Sequence, residues 1–409
     1  MSRFSCLAAW LGLTLGALPA YAATATSDLV YFGSHGTQTQ GAPPPGGGNR
    51  PVAAGPPAGG QRPPQKPVDI YAARFDEATG QLTLLGPMAQ LARPTWMTAN
   101  PEKPIIYSDN EIGSGPADPG QVVAFKIDPA SGGLSEINRV GAVGGGTTYV
   151  SFDPVTQTVF ASNFNTGHVV AIPVKPDGSL GEASSSQLDY GKGPNRRQPG
   201  PHAHSVIIDP SHHFVLVPDM GADRVFVYKF DDATRTLSPA ATPFAQFPPG
   251  TGPRHAVFSP NGRYLYVMTE LTAEIHSFAW DAATGSLTPI QTFKTINKPP
   301  AGALTMDGAE VAISANGKFL YSSTRLDNSI SVYAIDARNG HFAQIQHISS
   351  QGENPWSFTI DPSGHWMLVT DERSSLVAVL KIDPTSGKLT ATGESIKVPH
   401  PVSATFISG

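Results

Sequence analysis

Gly252 to Leu271 reads GPRHAVFSPNGRYLYVMTEL: an apolar run, a turn of the form Ser-Pro-Asn-Gly, and a second apolar run. Looser copies of the phrase recur along the chain. HSVIIDPSHHFVLVPD starts at His204, VAISANGKFLYSSTR at Val311 and SFTIDPSGHWMLVTD at Ser357. Two degenerate copies come earlier, MTANPEKPIIYSD from Met97 and VSFDPVTQTVFASN from Val150. Strand-turn-strand units repeating every 40 to 50 residues or so are the signature of a β-propeller, in which each copy is one blade that cannot bury its faces alone.

Composition agrees. Gly (42) and Pro (39) supply many tight turns in 409 residues, and the charged fraction of 14% leaves little for surface helices. The net charge of −5 offers no basic stripe, so nucleic acid is not an expected partner.

Arg3, the apolar stretch Leu7 to Leu18 and Ala20-Tyr21-Ala22 predict a signal peptide over residues 1–22, which makes the protein periplasmic. The single cysteine, Cys6, falls inside it, so no thiol chemistry or disulfide is expected in residues 23–409, read as one propeller domain. No other stretch is long and apolar enough to span a bilayer. Residues 37–67 (GAPPPGGGNRPVAAGPPAGGQRPPQKP at the core) carry almost no apolar mass and read as a flexible insertion in the first blade, between LVYFGS from Leu29 and DIYAARF from Asp69.

Counting strands predicts an all-β fold, a seven-bladed β-propeller of four-stranded antiparallel blades. Blades 2 to 7 are expected to begin near Pro94, Thr147, Pro201, Pro253, Asp307 and Pro355. Blade 1 lacks an innermost strand of its own, and the chain ends on an orphan, VSATFIS from Val402. Pairing that strand into blade 1 closes the ring and removes an open sheet edge.

Repeat register places equivalent residues at one height around the axis. The entrance of the innermost strand holds His204, Arg254, Ala309 and Trp356 in blades 4 to 7, and the exit of the second strand holds Met220, Glu270, Arg325 and Glu372. Because those strands are antiparallel, both positions face one end of the channel. Any one of these residues alone reads as a solvated turn residue. Together, a histidine, two arginines and a carboxylate on three adjacent blades mark a ligand pocket.

HAHSVIIDP, VPDMGADRVFVY, GPRHAVFSPNGRYLYVMTEL and AEVAISANGKFLYSSTRLDNSISVY resemble the lactonase family of seven-bladed propellers, which includes 6-phosphogluconolactonases and fungal carboxy-muconate lactonising enzymes. The resemblance implies hydrolysis of a lactone with His204, Arg254, Glu270 and Arg325 as catalytic residues. His202, His255, Glu310 and Trp356 are the candidate substrate-binding residues. Family members commonly carry Glu-Ile-His where this chain has Glu310-Val311-Ala312, and Pro-Arg-x-Phe where it has Pro355-Trp356-Ser357-Phe358. Losing a basic group and gaining an indole, whose face suits a sugar ring, points to a substrate less anionic than a phosphorylated sugar.

In this reading Arg254 or Arg325 stabilises the oxyanion, His204 is base or proton shuttle and Glu270 orients it. No cofactor and no metal are expected; the pairs His202/His204 and His212/His213 read as turn residues, not zinc ligands. The expected substrate is an unphosphorylated sugar lactone such as D-glucono-1,5-lactone, met by a monomer outside the inner membrane. A lactone-forming enzyme acting on a carboxylated muconate-type acid, with the arginines as carboxylate clamps, and a non-catalytic binding propeller stay open.

Overall fold

The computed structural model describes residues 28–35, 68–296, 303 and 305–407. The expected signal peptide, Cys6 and the Pro/Gly-rich segment 37–67 lie outside them. Seven four-stranded antiparallel sheets are formed, in the expected order. The innermost and second strands of blades 2 to 7 are Met97–Ala99 with Ile105–Asn110, Thr147–Asp153 with Thr158–Asn163, Ile207–Ile208 with Phe214–Asp219, Pro253–Phe258 with Tyr264–Thr269, Gly308–Ile313 with Phe319–Thr324, and Pro355–Ile360 with Trp366–Asp371.

Blade 1 is built from both ends of the chain. Pro401–Ile407 pairs antiparallel with Asp28–Ser34, in register from Leu29 against Ile407 to Gly33 against Ser403. Val68–Asp76 and Gln81–Leu91 complete this sheet.

Second strands are buried on both faces, which is why they read as unbroken apolar runs such as FVLVPD and YLYVMT. Neighbouring blades then pack face to face: Leu216, Val225 and Val227 of blade 4 share a core with Leu265, Val267 and Phe278 of blade 5. The hairpin between innermost and second strand is fixed by its first residue. Asp209 accepts the amides of His213 at 3.0 Å and Phe214 at 2.8 Å, and Asp361 accepts that of Trp366 at 2.7 Å. The turn needs a left-handed residue, met by Gly262, Gly317 and Gly364 in blades 5 to 7; His212 takes the same conformation in blade 4, at φ 61°. His212 is therefore a turn residue.

Candidate active site

One turn at the channel rim recurs in every blade. The residue just past each second strand donates its amide to a carbonyl just before the innermost strand: His35 to His400, Glu111 to Arg93, Phe164 to Gly146, Met220 to His202, Glu270 to Gly252, Arg325 to Asp307 and Glu372 to Asn354, all between 2.7 and 3.1 Å. The rim residues are thus held at one height. Five of the innermost strands also carry a β-bulge or register shift at this end, and Thr148, Arg254 and Trp356 are bulge residues. A bulge re-aims a side chain that regular alternation would point elsewhere.

Three of the predicted residues converge on the carboxylate of the fourth, Glu270. Glu270 Oε2 lies 3.2 Å from Arg254 Nε and 3.5 Å from His204 Nε2, and Oε1 lies 3.1 Å from Arg325 Nη2. A fourth partner carries no repeat signal in the sequence: Arg197 Nη2 reaches Oε1 at 2.5 Å. Burial would raise the Glu270 carboxyl, but the charges of Arg197 and Arg325 outweigh it and hold Glu270 well below the usual range. Burial and the charge of Arg254 push His204 down to about 3, so the ring is neutral. With Glu270 ionised beside Nε2, that nitrogen carries the proton, and Nδ1, which has no hydrogen-bond partner among the described residues, presents its lone pair.

His204, Glu270, Arg325 and Trp356 line a small cavity at the rim. Its far wall comes from blades 2 and 3: Arg93, Glu111, Thr148 and Phe164. Arg93 is paired with Glu111 at 2.9 Å, and Trp356 covers the Arg325 guanidinium at 4.8 Å.

Arg254 does not line the cavity. Its side chain is 1% exposed, bonded to Glu270 and, through Nη1, to the Ala309 carbonyl at 2.8 Å, and burial followed by the charge of Arg325 lowers it to about 10. His202 also stands behind the wall, stacked on Phe164 at 4.6 Å with Nδ1 bonded to the Phe164 carbonyl at 2.7 Å.

His255 and Glu310 lie one residue further along their strands, joined at 2.9 Å. With Trp96 and Tyr149, stacked at 4.6 Å and both edge-on to His255, they form a plug below the cavity. Beyond the plug a channel of about 490 Å³ is lined by apolar residues of the innermost strands such as Ile207, Phe258, Ile313 and Ile360.

Repeat register, continued into blades 1 to 3, reaches His35, Glu111 and Phe164, so a signal for the far wall was present. Arg197 had only a weak one, a cationic Arg196-Arg197 pair within a Gly/Pro-rich loop.

Residues 59–406 match the sequence pattern of the family described as Lactonase, 7-bladed beta-propeller. The chain belongs to the lactonase family. Among its relatives, a 6-phosphogluconolactonase of Bacillus subtilis is 31% identical over 338 residues, covering 83% of this chain and 94% of the relative. The structure of a periplasmic gluconolactonase of Pseudomonas aeruginosa superposes with a TM-score of 0.78 at 28% identity, covering 94% of this chain and 99% of that one. A putative 6-phosphogluconolactonase of Bacteroides fragilis gives 0.79 at 25% identity, with coverage of 94% and 99%. This lactonase is thereby a lactone-hydrolysing enzyme of the ester-bond hydrolase class.

Proposed function

We propose that this lactonase is exported and hydrolyses an unphosphorylated sugar lactone, D-glucono-1,5-lactone to D-gluconate, with His204, Glu270 and Arg325 at the reacting atoms. The observation that supports the reading is the Glu270 carboxylate, which meets His204 Nε2 on one oxygen and the Arg325 guanidinium on the other, with His204 Nδ1 lacking a hydrogen-bond partner among the described residues. Water gives a proton to Nδ1 while its oxygen bonds the lactone carbonyl carbon. The negative charge on the carbonyl oxygen faces Arg325, and Glu270 compensates the imidazolium that forms. Collapse breaks the ring C–O bond, the proton passes from His204 to the leaving oxygen, and the carboxylic acid so formed releases its remaining proton to water to give D-gluconate. Arg254, enclosed behind Glu270, positions the carboxylate.

Two observations support an unphosphorylated substrate. Most cations at the rim are already committed, Arg93 to Glu111 and Arg254 and Arg325 to Glu270, which leaves Arg197, whose buried Nη1 has no partner among the described residues, as the lining guanidinium with a donor to spare, a poor match for a dianionic phosphate. Trp356 lines the cavity where a sugar face can stack. Export is supported by the apolar stretch after Arg3 and by likeness to a periplasmic gluconolactonase.

The test is a panel of glucono-1,5-lactone, 6-phosphoglucono-1,5-lactone and a carboxy-muconolactone, each corrected for spontaneous opening. The highest kcat/KM is expected on glucono-1,5-lactone; preference for the phosphorylated sugar or the muconate compound overturns the assignment. Reporter fusion to residues 1–22 tests export.

A further inference from the structure

The cavity beside Glu270 measures about 30 Å³, room for about two waters and too little for a sugar lactone. Part of its wall must move before substrate enters. Arg325 is 2% exposed and tied to Glu270 and, less closely, to the carbonyls of Asp307 and Gly308, and the His204 side chain is 9% exposed and held on Glu270. Arg197 differs. It comes from the loop between the outer strand of blade 3, Ser185–Leu188, and Ile207, and its side chain is 15% exposed.

Its departure would not strand Glu270, which keeps Arg254, Arg325 and His204. Its backbone is anchored nonetheless: Gln198 donates to the Met220 carbonyl at 2.7 Å and to Asp223 at 2.6 Å, and Asn195 accepts the Arg197 amide at 3.0 Å. Only the side chain is free to swing. Its Nη1 is enclosed at the cavity and has no hydrogen-bond partner among the described residues.

We propose that Arg197 is a further catalytic residue, a side-chain gate that leaves Glu270 to admit the lactone and then closes on the substrate carbonyl oxygen. This deepens the lactonase reading above and rests on it. Once closed, the guanidinium faces the oxygen that becomes negative when water adds to the carbonyl carbon, and afterwards one oxygen of the product carboxylate. Arg197 transfers no proton: that proton goes to His204 and then to the ring oxygen. A planar fork suits both the oxyanion and the carboxylate, and a guanidinium stays charged throughout.

Arg197→Gln and Arg197→Lys in the full chain test this, with kinetics on glucono-1,5-lactone, the pH-rate profile, and calorimetric titration with gluconate. Arg197→Gln should lower kcat about 100-fold, as expected for one oxyanion donor, and weaken gluconate binding at least tenfold, with the pH profile unmoved. Arg197→Lys should recover only part of each. Losses below tenfold in both kcat and gluconate affinity overturn the proposal. So does a displaced pH profile with full kcat at the new optimum, because that would mean Arg197 merely keeps Glu270 ionised. An unchanged unfolding midpoint establishes that the variants fold. If the wild type accelerates no lactone, the lactonase reading fails by itself, while the gluconate titration still decides whether Arg197 holds a carboxylate.

Discussion

Arg254 and Glu270 stand at the two ends of one hairpin, sixteen residues apart, and meet at 3.2 Å with both side chains at most 3% exposed. Burying an ion pair so completely is costly unless its donors find partners, and Arg254 places Nε on Glu270 and Nη1 on the Ala309 carbonyl. Removing one partner of such a pair typically costs about 3–5 kcal/mol. Arg254→Ala should therefore lower unfolding stability by that order and reduce kcat about 100-fold or more through misplacement of Glu270. Denaturant unfolding and lactone hydrolysis measured on the same preparation check both; unchanged turnover would remove Arg254 from the machinery.

His204 sets the acid side of the pH dependence. Its folded pKa, pushed down by burial and by Arg254, lies near 3, below the ordinary value of about 6.5. The neutral base persists as pH falls through 6.5, whereas the stability it contributes, fully present above about 6.5, drains away progressively as pH falls from there toward 3. Enzymatic kcat/KM, after subtraction of spontaneous opening, should show no inflection between pH 8 and 5. His204→Gln should lose about 10²–10⁴-fold. A half-loss of rate near pH 6.5 would contradict this placement of the ring.

Glu310 behaves in the opposite sense. Burial raises it to about 8, against the pull of Arg254, so the folded protein favours the protonated acid. A raised folded pKa contributes stability fully present below about 4.5 and lost as pH rises through 8. Glu310→Gln keeps the shape without the ionisation. Unfolding midpoints of the two proteins should lie close together at pH 5 and diverge in favour of the variant between pH 6 and 9. A constant offset across that range would refute the assignment.

Gly308 is required for closeness. A Cβ built there would lie 2.3 Å from the Thr269 carbonyl oxygen, at the seam between Glu270 of blade 5 and Arg325 of blade 6. Gly308→Ala must push the two blades apart, at a typical overpacking cost of about 1–3 kcal/mol. The Glu270–Arg325 distance should grow and kcat fall, whereas Gly393→Ala, where nothing lies within 4 Å, should leave kcat unchanged. A crystal structure and kinetics of both variants would decide.

Much of this was legible in the sequence because the repeat carries its own register. The hairpin turns, the start of each blade near Pro253, Asp307 and Pro355, and the return of the C-terminal strand follow from apolar runs counted against one another. Register also brought His204, Arg254, Glu270 and Arg325 to one rim. It could not say which guanidinium faces the cavity: that depends on a one-residue bulge at Arg254, invisible in an apolar pattern. Nor could it find Arg197, which lies outside the repeated phrase, in a loop placed by Gln198 and Asp223, contacts made across long sequence separations. Nor does register give depth: His202 backs Phe164, and His255 and Glu310 pair beneath the cavity.

The ladder from Leu29 against Ile407 to Gly33 against Ser403 also dictates the order of assembly. Six blades are local hairpins able to form as soon as their residues exist, but the seventh waits for the last strand to be made. Until then the three N-terminal strands of blade 1 cover blade 2 but lack their innermost partner, and the ring stays open at that edge. The finished ring is therefore sealed by its slowest contact, and unfolding should begin where folding ended, at this seam.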